Sequence, residues 1–485
     1  MKSLESQLES EGVPLYVDLD GTLVATDTLW ESVILLIRKN LLMFFYLLIL
    51  LGRGKANFKH ELAKQVQLDF ESLPYRSEVL TFLRAEKATG KKVILASAAD
   101  QSIAEGVAQY LGIFDGVLGS DGKINLSGKE KLTAIQQTTG NGRFDYIGNS
   151  TKDVPLWQAA RRAILVWPSS HTVKIVHRIC TSEHILASRE GTLGAFLRAL
   201  RIHQWAKNCL LFVPLLAAHK LSDITSILHL LVAFVAFSLC ASSVYLINDL
   251  LDLEVDRQHP LKRNRPFAAG TLSIKTGAFA VPLLMVTSLA MAAKLLNPVF
   301  LVLLILYLTS SVAYVCFFKN ALLLDVFVLT GLYTLRVLAG GMAVDIQPSP
   351  WLLAFSMFFF LSLAFLKRYS ELRLMMINDR EHVSGRPYAL SDIDLIRGVG
   401  PIGGYLSVLV LALYINSKDV VELYRYPTLL WLITPCLLYW ITRMWFLSHR
   451  GAISEDPIVF AVKDPKSYVV GAIVLSIIVI AASFL

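Results

Sequence analysis

Residues 248 to 256 read Asn-Asp-Leu-Leu-Asp-Leu-Glu-Val-Asp and follow directly on a long apolar run that ends at Ile247. On a helix, Asp249, Asp252 and Asp256 stand at positions i, i+3 and i+7 and share one face. Carboxylates this close repel one another unless a cation lies among them, so the stretch predicts a Mg²⁺ site that can hold a diphosphate. A second interpretation is that these acids form only the solvated end of a membrane helix.

Basic side chains follow the acidic stretch at once: Arg257, His259, Lys262, Arg263 and Arg265. Arginine and lysine pair with phosphate oxygens, and arginine often does so through two parallel hydrogen bonds. The pattern therefore predicts that the acids hold a metal ion while the bases hold the phosphates of the same ligand.

The composition divides the chain into two parts. Of the 485 residues, 54% are hydrophobic and only 17% are charged, and the mean hydropathy is +0.54. The apolar excess lies after residue 205, whereas residues 1–170 have the composition of a globular protein. We expect a soluble N-terminal domain followed by a membrane domain. The net charge of +8 fits membrane topology and phosphate handling, and without a basic helix or a basic-aromatic array the sequence excludes nucleic acid as a partner.

Nine apolar runs follow one another along the chain from Asn208 onward, and most approach the roughly 20 residues that a membrane-spanning helix needs. They cover residues 208–224, 228–247, 277–293, 298–318, 321–344, 350–366, 400–415, 428–447 and 467–485. Because lipid offers no partner to an unpaired backbone group, they predict an all-α bundle of nine transmembrane helices. The first run is interrupted by His219, Lys220 and Asp223 and has the weakest apolar character.

The distribution of basic residues predicts the orientation in the membrane. If the N-terminal domain is cytoplasmic, the other cytoplasmic segments and helix ends, all after residue 200, carry eighteen Lys or Arg residues and the opposite side carries four. This asymmetry follows the positive-inside rule. We expect a multi-pass protein of the inner membrane whose C-terminus lies on the side opposite to the N-terminal domain.

A second polar loop on the predicted cytoplasmic side begins Lys367-Arg368-Tyr369-Ser370-Glu371-Leu372-Arg373. Together with the acidic loop it predicts two polar segments that close over a head group while a lipid tail stays in the bundle. Arg336 adds a charge within the run 321–344, where ionisable residues usually face a cavity or a partner. A structural arginine that snorkels or bonds to the backbone is an equally good interpretation.

The N-terminal region alternates short apolar runs with helical stretches, which predicts an α/β domain with a parallel sheet. Pro14–Val17 leads to Asp18, Asp20, Gly21 and Thr22 in the string DLDGTL, Lys92–Ala96 leads to Ser97, and Phe144–Ile147 leads to Gly148, Asn149, Ser150 and Asp153. Ligands gather beyond the carboxyl ends of parallel strands. A pair of carboxylates at such an edge, beside a metal ion, can attack phosphorus.

Across about residues 13–168 these strings resemble the haloacid dehalogenase superfamily of phosphotransferases. The resemblance implies a Rossmann-like fold with Asp18 as the nucleophile and Asp20 as the general acid/base. It also implies phosphate contacts from Ser97 and Lys131 and a Mg²⁺ site that includes Asp18, Asp20, Asn149 and Asp153. The family's last motif usually opens with Gly-Asp, whereas this chain has Gly148-Asn149, so a neutral ligand replaces a charged one and metal affinity should fall.

The membrane part resembles the UbiA superfamily of intramembrane prenyltransferases over about residues 195–485, because Asn248, Asp249, Asp252 and Asp256 follow the second span at the family's spacing. A closer likeness is to its decaprenyl-phosphate phosphoribosyltransferase branch. The strings that carry this likeness are RIHQWAKN (201–208), NDLLDLEVDRQHPLKRNRPFAAG (248–270), RVLAGG (336–341) and KRYSEL (367–372). Aromatic prenyltransferases normally carry a second Asp-rich motif, and this chain offers only Glu371 at that place.

The resemblance implies transfer of phosphoribose from phosphoribosyl diphosphate to a polyprenyl phosphate in the cell envelope. In this interpretation Asp249, Asp252 and Asp256 hold Mg²⁺, Asn248 orients them, and the fused phosphatase-like domain dephosphorylates the product. The expected substrate-binding residues are Lys207, Asn208, Arg257, Lys262, Arg263, Arg265, Arg336, Lys367, Arg368, Tyr369 and Glu371.

Three alternatives remain open at the level of sequence: an aromatic prenyltransferase that uses a polyprenyl diphosphate, a membrane transporter, and a membrane-anchored phosphatase. The predicted organisation is a tail (1–12), a haloacid dehalogenase-like domain (13–180) with a helical cap at about 26–80, a linker (181–200) and a UbiA-like domain (201–485). Within the cap, the apolar piece 41–51 is too short to span a bilayer, and it either rests on the membrane or is buried. The sequence is compatible with a homo-oligomer.

Overall fold

The computed structural model describes residues 12–482 apart from 41, 53, 141, 181–182, 188–190, 221, 261, 378–386, 418–419, 421–422 and 454–455. The predicted tail therefore lies almost wholly outside the described residues. The chain forms two compact units, one of Met1–Ala199 with Leu246–Phe279 and one of Leu200–Tyr245 with Ala280–Leu485. The loop that carries the acidic stretch thus belongs to the same unit as the N-terminal domain.

The first unit is built on a parallel six-stranded sheet in the order β3-β2-β1-β4-β5-β6. The strands are β1 (Leu15–Val17), β2 (Val93–Asp100), β3 (Gly116–Ser120), β4 (Asp145–Gly148), β5 (Arg162–Val166) and β6 (Glu183–Ala187). The central strands β1 and β4 are fully buried, as expected for a parallel sheet covered by helices on both faces. The predicted α/β fold is confirmed.

Helices connect and cover these strands. They are α1 (Thr28–Lys39), α2 (Met43–Leu51), α3 (Lys55–Gln65), α4 (Ser77–Ala88), α5 (Gln101–Leu111), α6 (Lys129–Thr139), α7 (Val154–Ala159), α8 (Ser170–Ile179) and α9 (Thr192–Ala199). Asp27 caps α1, because its carboxylate accepts hydrogen bonds from the amides of Leu29 and Trp30. Helices α1 to α3 occupy the interval predicted for the cap.

The remaining helices form the membrane part and its loops. They are α10 (Val213–Ala217), α11 (Ile224–Leu251), α12 (Leu253–Gln258), α13 (Ile274–Leu295), α14 (Pro298–Cys316), α15 (Leu324–Met342), α16 (Pro350–Ile377), α17 (Ile393–Ile415), α18 (Ile433–His449), α19 (Pro457–Lys463) and α20 (Pro465–Ala482). In the described part of the chain, eight helices are long and apolar enough to cross a membrane: α11, α13 to α18 and α20. A multi-pass helical membrane domain is confirmed.

The first of the nine predicted spans differs from the expectation. Residues Ile202–Phe212 form a 3₁₀ helix that continues into the short helix α10, so the described residues between Asn208 and Asp223 contain no long α-helix. At the usual rises per residue, the two elements together measure about 30 Å, which is close to the thickness of the hydrocarbon core. The polar residues His219, Lys220 and Asp223 lie beyond its end and account for the early stop.

Candidate functional site

The acidic stretch begins on the last turn of α11, and the structure interrupts the predicted single helix at Asp252. This residue has φ −101° and ψ 15° and separates α11 from α12. The helical hydrogen bonds nevertheless continue across the break, since the amide of Asp252 donates to the carbonyl of Asn248 and the amide of Asp256 donates to that of Asp252. Asp249 and Asp256 therefore stay on one side of the chain.

Arg265 bridges these two carboxylates. Its Nη1 lies 3.1 Å from Oδ1 of Asp249 and 2.6 Å from Oδ2 of Asp256, and both aspartates are almost fully buried. Burial raises the pKa of Asp256 to about 6, although the nearby guanidinium of Arg265 opposes this shift. One guanidinium thus contacts two buried acids, and its single positive charge offsets only one of two carboxylate charges.

The donor set at this place fits Mg²⁺ in the company of a phosphate ligand. Among the described residues, no group of three His, Cys, Asp or Glu side chains converges closely enough to hold a metal ion by itself. Mg²⁺ is ordinarily held through one or two carboxylates together with water and substrate phosphates. The pair formed by Asp249 and Asp256 meets that requirement once a diphosphate supplies further oxygens.

The basic residues after the acidic stretch differ in how far they are buried. Lys262 is half-buried and Arg263 is exposed, and both lie on the 3₁₀ turn Lys262–Asn264 that leads to Arg265. Arg257, expected to bind substrate, instead forms a buried ion pair with Glu31 of α1, with Nη2 2.5 Å from Oε1. Its Nε also donates to the carbonyl of Ala268.

Strand β1 delivers Asp18 to the centre of the first unit. Lys131 of α6 lies 2.7 Å from Oδ1 of Asp18 and donates to the hydroxyl of Tyr146. Burial raises the pKa of Asp18 to about 6 even though Lys131 opposes the shift. Burial, followed by the nearby charge of Asp27, raises the pKa of Asp20 to about 7, a value suited to a general acid/base.

Two other residues predicted for this site lie on the strands beside β1, Ser97 within β2 and Asp153 in the turn after β4. Ser97 is fully buried, and its hydroxyl accepts a hydrogen bond from the amide of Ala99. Asp153 accepts from Tyr146 through Oδ1, and through Oδ2 it accepts from the amides of Asn149 and Ser150 and the hydroxyl of Ser150. Its carboxylate therefore braces the loop after β4.

Asn149 lies against the loop that follows the nucleophile. Gly21 has φ +77°, and a Cβ on this residue would come 2.2 Å from Nδ2 of Asn149. Only glycine combines this backbone conformation with such a close approach. The neutral residue that departs from the family pattern thus sits directly beside the loop that carries Asp18 and Asp20.

In the second unit, Lys207 and Lys367 meet at Asp456, which precedes α19. Oδ2 of Asp456 is 2.7 Å from Nζ of Lys207 and 3.3 Å from Nζ of Lys367, and it also accepts from the hydroxyl of Tyr333. Burial by itself raises the pKa of Asp456, but the two ammonium groups outweigh it and hold the pKa of this carboxyl well below its usual range.

Sequence reasoning missed Asp456. The string Asp456-Pro457 carries a recognisable signal for a helix start, since aspartate is a favoured cap and proline a favoured first residue. That signal predicts the capping bond to the amide of Ile458, observed at 3.2 Å. It does not predict the two lysines, which come from distant parts of the chain.

Arg336 donates to a backbone carbonyl, as in one of the two interpretations left open by the sequence. It is buried and donates to Asn208 Oδ1, the carbonyl of Leu332 and the hydroxyl of Tyr307. The side-chain nitrogen of Asn208 in turn donates to the hydroxyl of Ser238. Asn208 and Arg336 thus join helices of the bundle.

The segment that begins at Lys367 was predicted to be a loop, but it forms the C-terminal part of helix α16, and internal contacts hold it there. Arg368 is 1% exposed and pairs with Asp325 at 2.6 Å and with Glu371. The hydroxyl of Tyr369 lies 2.8 Å from Nδ1 of His449. Of the residues predicted here, Lys367 keeps the most exposed cationic side chain, at 28%.

A membrane-embedded transferase of the UbiA type is the class that this helical bundle and its acidic loop define, with a second, phosphatase-like site on the parallel sheet. The profile of the UbiA prenyltransferase family matches residues 209–450, and that of the haloacid dehalogenase-like hydrolases matches residues 15–158. The chain belongs to the UbiA prenyltransferase family and carries a haloacid dehalogenase-like domain at its N-terminus.

Similar proteins share one or both parts. An uncharacterized protein of Sinorhizobium fredii is 35% identical, over 99% of this chain and 93% of its own length. The decaprenyl-phosphate phosphoribosyltransferase of Mycobacterium tuberculosis is 37% identical over 40% of this chain and 65% of its own length. A UbiA homolog from Archaeoglobus fulgidus, solved with DMAPP and Mg²⁺, is 15% identical with a TM-score of 0.46, over 60% of this chain and 99% of that chain.

Proposed function

We propose that the membrane domain transfers phosphoribose from phosphoribosyl diphosphate to a polyprenyl phosphate, with Mg²⁺ as cofactor. The likeness to relatives named decaprenyl-phosphate phosphoribosyltransferase supports the donor and the class of acceptor. Membership of the UbiA family supports a lipid substrate. We further propose that the protein lies in the inner membrane, with its N-terminal domain in the cytoplasm and its C-terminus on the opposite side.

The observation that carries this proposal is the pair Asp249 and Asp256 held by Arg265. Asp249 and Asp256 would hold a Mg²⁺ ion that arrives with a diphosphate, and Arg265 would pair with the phosphate oxygens of the same ligand. Lys262 and Arg263 add further positive charge for the donor's phosphates. Asp252 completes the proposed metal site, and Asn248 orients it.

In the proposed reaction, an oxygen of the polyprenyl phosphate attacks the anomeric carbon of the donor. A new carbon–oxygen bond forms while the bond to the diphosphate breaks, and its electron pair leaves with the diphosphate. The attacking oxygen is already anionic, so no strong base is required. Catalysis comes from holding the two substrates in position, and Mg²⁺ when bound supplies electrostatic stabilisation of the leaving group.

Lys207 and Lys367 are the residues we propose for the acceptor phosphate. They share a single carboxylate, Asp456, so the trio keeps a net positive charge that is available to an anion. The contacts of Arg336, Arg368 and Tyr369 support a different role for these residues, which is to hold the helices that carry the lysines.

We propose that the N-terminal domain removes the phosphate from the ribose of the transfer product. Asp18 attacks phosphorus and forms an aspartyl phosphate while the bond from phosphorus to the ribose oxygen breaks and Asp20 donates a proton to that oxygen. Asp20 then takes a proton from a water molecule that attacks phosphorus, which breaks the bond to Asp18 and releases inorganic phosphate. Lys131 and Ser97 hold phosphate oxygens. A Mg²⁺ ion bound through Asp18 and the carbonyl of Asn149 would lower the negative charge that the nucleophile has to overcome, while Asp153 keeps the metal-binding loop in place.

Incorporation of labelled phosphoribosyl diphosphate into lipid tests the transferase. Membranes that contain the intact protein and a polyprenyl phosphate should form a labelled lipid, and Asp252→Ala should abolish it. Offering a polyprenyl diphosphate with an aromatic acceptor in a parallel assay examines the aromatic prenyltransferase alternative. Product in that assay alone would refute the proposed donor.

Replacement of Asp18 by Asn tests the phosphatase. The variant should still form the labelled lipid but should accumulate the form that retains the ribose phosphate, whereas the intact protein releases inorganic phosphate. If Asp18→Asn releases phosphate at the wild-type rate, Asp18 is not the nucleophile.

A further inference from the structure

Helix α2 is a nine-residue segment composed entirely of apolar and aromatic residues, MFFYLLILL. One side of it packs into the first unit. Leu47 and Leu50 are buried, and they form a small core with Leu36 of α1 and with Phe58 and Leu62 of α3. This side of the helix accounts for its place in the cap.

The other side of α2 faces outward. Leu42 is 71% exposed, Phe45 is 63% exposed and Ile49 is 64% exposed. They stand at i, i+3 and i+7 and so line one face of the helix. A contiguous apolar face of this kind on the surface of a soluble domain usually marks an interaction site.

The structure ties this helix to the end of a membrane span. Arg38, in the last turn of α1, lies 3.2 Å from Glu254, and Glu254 follows closely on Leu251, where α11 ends. Two further ion pairs hold α1 nearby: Arg257 of α12 pairs with Glu31, and Lys275 at the start of α13 pairs with Asp27, the N-cap of α1. Helix α2 begins only four residues after Lys39. It is thus tethered to the end of a 28-residue helix that, at about 42 Å, is longer than the hydrocarbon core.

Positive charges flank the apolar face. Lys39 precedes α2, Lys55 follows it, and both residues are exposed. Lysines at both ends of an apolar segment suit a helix that lies among anionic lipid head groups, where the ammonium groups stay in the polar layer. The segment is too short to cross the bilayer, since nine residues span about 14 Å.

We propose that α2 is an interfacial membrane anchor, with Leu42, Phe45 and Ile49 inserted into the leaflet at the end of α11 that carries the acidic loop. The three side chains offer on the order of a few hundred Å² of apolar surface, well below the roughly 800 Å² per partner of a stable protein interface. Lipid needs no such complementary surface. This favours the bilayer over a second copy of the chain.

An anchor of this kind would keep the phosphatase-like site at the membrane surface. A substrate with a polyprenyl tail cannot leave the bilayer, so the phosphatase-like site has to reach its head group at the membrane surface. The inference therefore concerns how a lipid-linked substrate reaches Asp18, and it stands whether or not the transferred group is phosphoribose.

Spin labelling of the full-length protein in vesicles tests the proposal. The five native cysteines are first replaced, and Phe45→Cys or Ile49→Cys is then labelled in vesicles of phosphatidylcholine with phosphatidylglycerol. Tyr110→Cys, on α5, provides a control because Tyr110 is also well exposed, at 49%. Collision rates with oxygen, which is concentrated in lipid, and with a water-soluble nickel complex report the depth of each label.

We expect the labels at 45 and 49 to collide with oxygen several-fold more, relative to nickel, than the label at 110. A label at 45 that is as accessible to nickel as the one at 110 would overturn the proposal. So would a label shielded from both reagents, or one that shows dipolar broadening removed by dilution with unlabelled protein, because these results indicate a protein partner or a second copy. A circular-dichroism spectrum and a gel-filtration volume equal to those of the wild type, both in detergent, show that each labelled variant is folded, whatever group the enzyme transfers.

Discussion

The ion pair between Glu31 and Arg257 should stabilise the docking of the acidic loop on the N-terminal domain, and it can be removed from either side. Glu31 is 2% exposed and Arg257 is 6% exposed, and the guanidinium reaches both carboxylate oxygens, at 2.5 and 3.2 Å. Thr26 donates a further bond of 2.6 Å to Glu31. Replacement of Arg257 by Met leaves the carboxylate buried with the hydroxyl of Thr26 but without its cation.

We expect Arg257→Met to reduce the free energy of docking strongly, because the unpaired carboxylate of Glu31 stays buried. Breaking a buried pair from one side costs about 3–5 kcal/mol. Each 1.4 kcal/mol changes an equilibrium constant about tenfold, so the state in which the acidic loop is detached from α1 should become a hundred to a few thousand times more populated. The pair Arg38–Glu254 offers a matched control, since its side chains are 39% and 25% exposed. Arg38→Ala should cost less than about 1 kcal/mol.

Hydrogen–deuterium exchange of the full-length protein measures this difference. Amides of α1 and α12 should exchange much faster in Arg257→Met and near the wild-type rate in Arg38→Ala. The double variant Glu31→Leu/Arg257→Met should recover most of the protection, because no charge is then left unpaired. Equal exchange in Arg257→Met and Arg38→Ala would refute the reasoning.

Three further predictions follow from single contacts. Arg265→Gln should raise the KM for phosphoribosyl diphosphate about 10- to 100-fold, as expected for loss of a charged hydrogen bond of about 1.5–3 kcal/mol, and steady-state kinetics would show it; an unchanged KM contradicts a donor contact. Asp456 has a lowered pKa, so the stability that it gains from Lys207 and Lys367 is complete above its unfolded pKa and is lost as the pH falls through the lower folded pKa. The difference in melting temperature between wild type and Asp456→Asn should therefore be constant above about pH 5 and shrink below about pH 4. A difference that grows on acidification would contradict this prediction. Asn149→Asp should tighten Mg²⁺ binding to the N-terminal domain, seen as a lower Mg²⁺ concentration for half-maximal phosphate release, and a higher concentration would exclude Asn149 as a ligand.

Much of the fold could be predicted from local patterns. Strand β1 and the loop with Asp18 were recognisable because an apolar run and a chemically specific string lie next to each other in sequence. The membrane helices were recognisable because a spanning segment satisfies its own backbone hydrogen bonds and must be apolar along its whole length. The first run was the exception, since it forms a 3₁₀ segment and a short helix, and three polar residues lie beyond the end of that helix.

The candidate site was predictable only in part. The acidic residues could be found because their spacing is set within one helical stretch, and Asp249 with Asp256 does converge. The partner of that pair, Arg265, was foreseen as a phosphate ligand but not as the bridge between the two acids. Asp456 could not be connected with Lys207 and Lys367 from the sequence. The two lysines lie 249 and 89 positions before it in the chain, and no short sequence pattern links residues so far apart.

The sequence by itself determined the two families, the order of the two parts and the identity of the acidic, basic and nucleophilic residues, because these depend on residue type and short spacing. Only the tertiary structure decided which charges neutralise one another. Arg257 and Arg265 are close in sequence and chemically identical, yet one is buried against Glu31 of the N-terminal domain and the other bridges Asp249 and Asp256. A buried charge must find a partner, and which partner it finds is fixed by how distant segments pack.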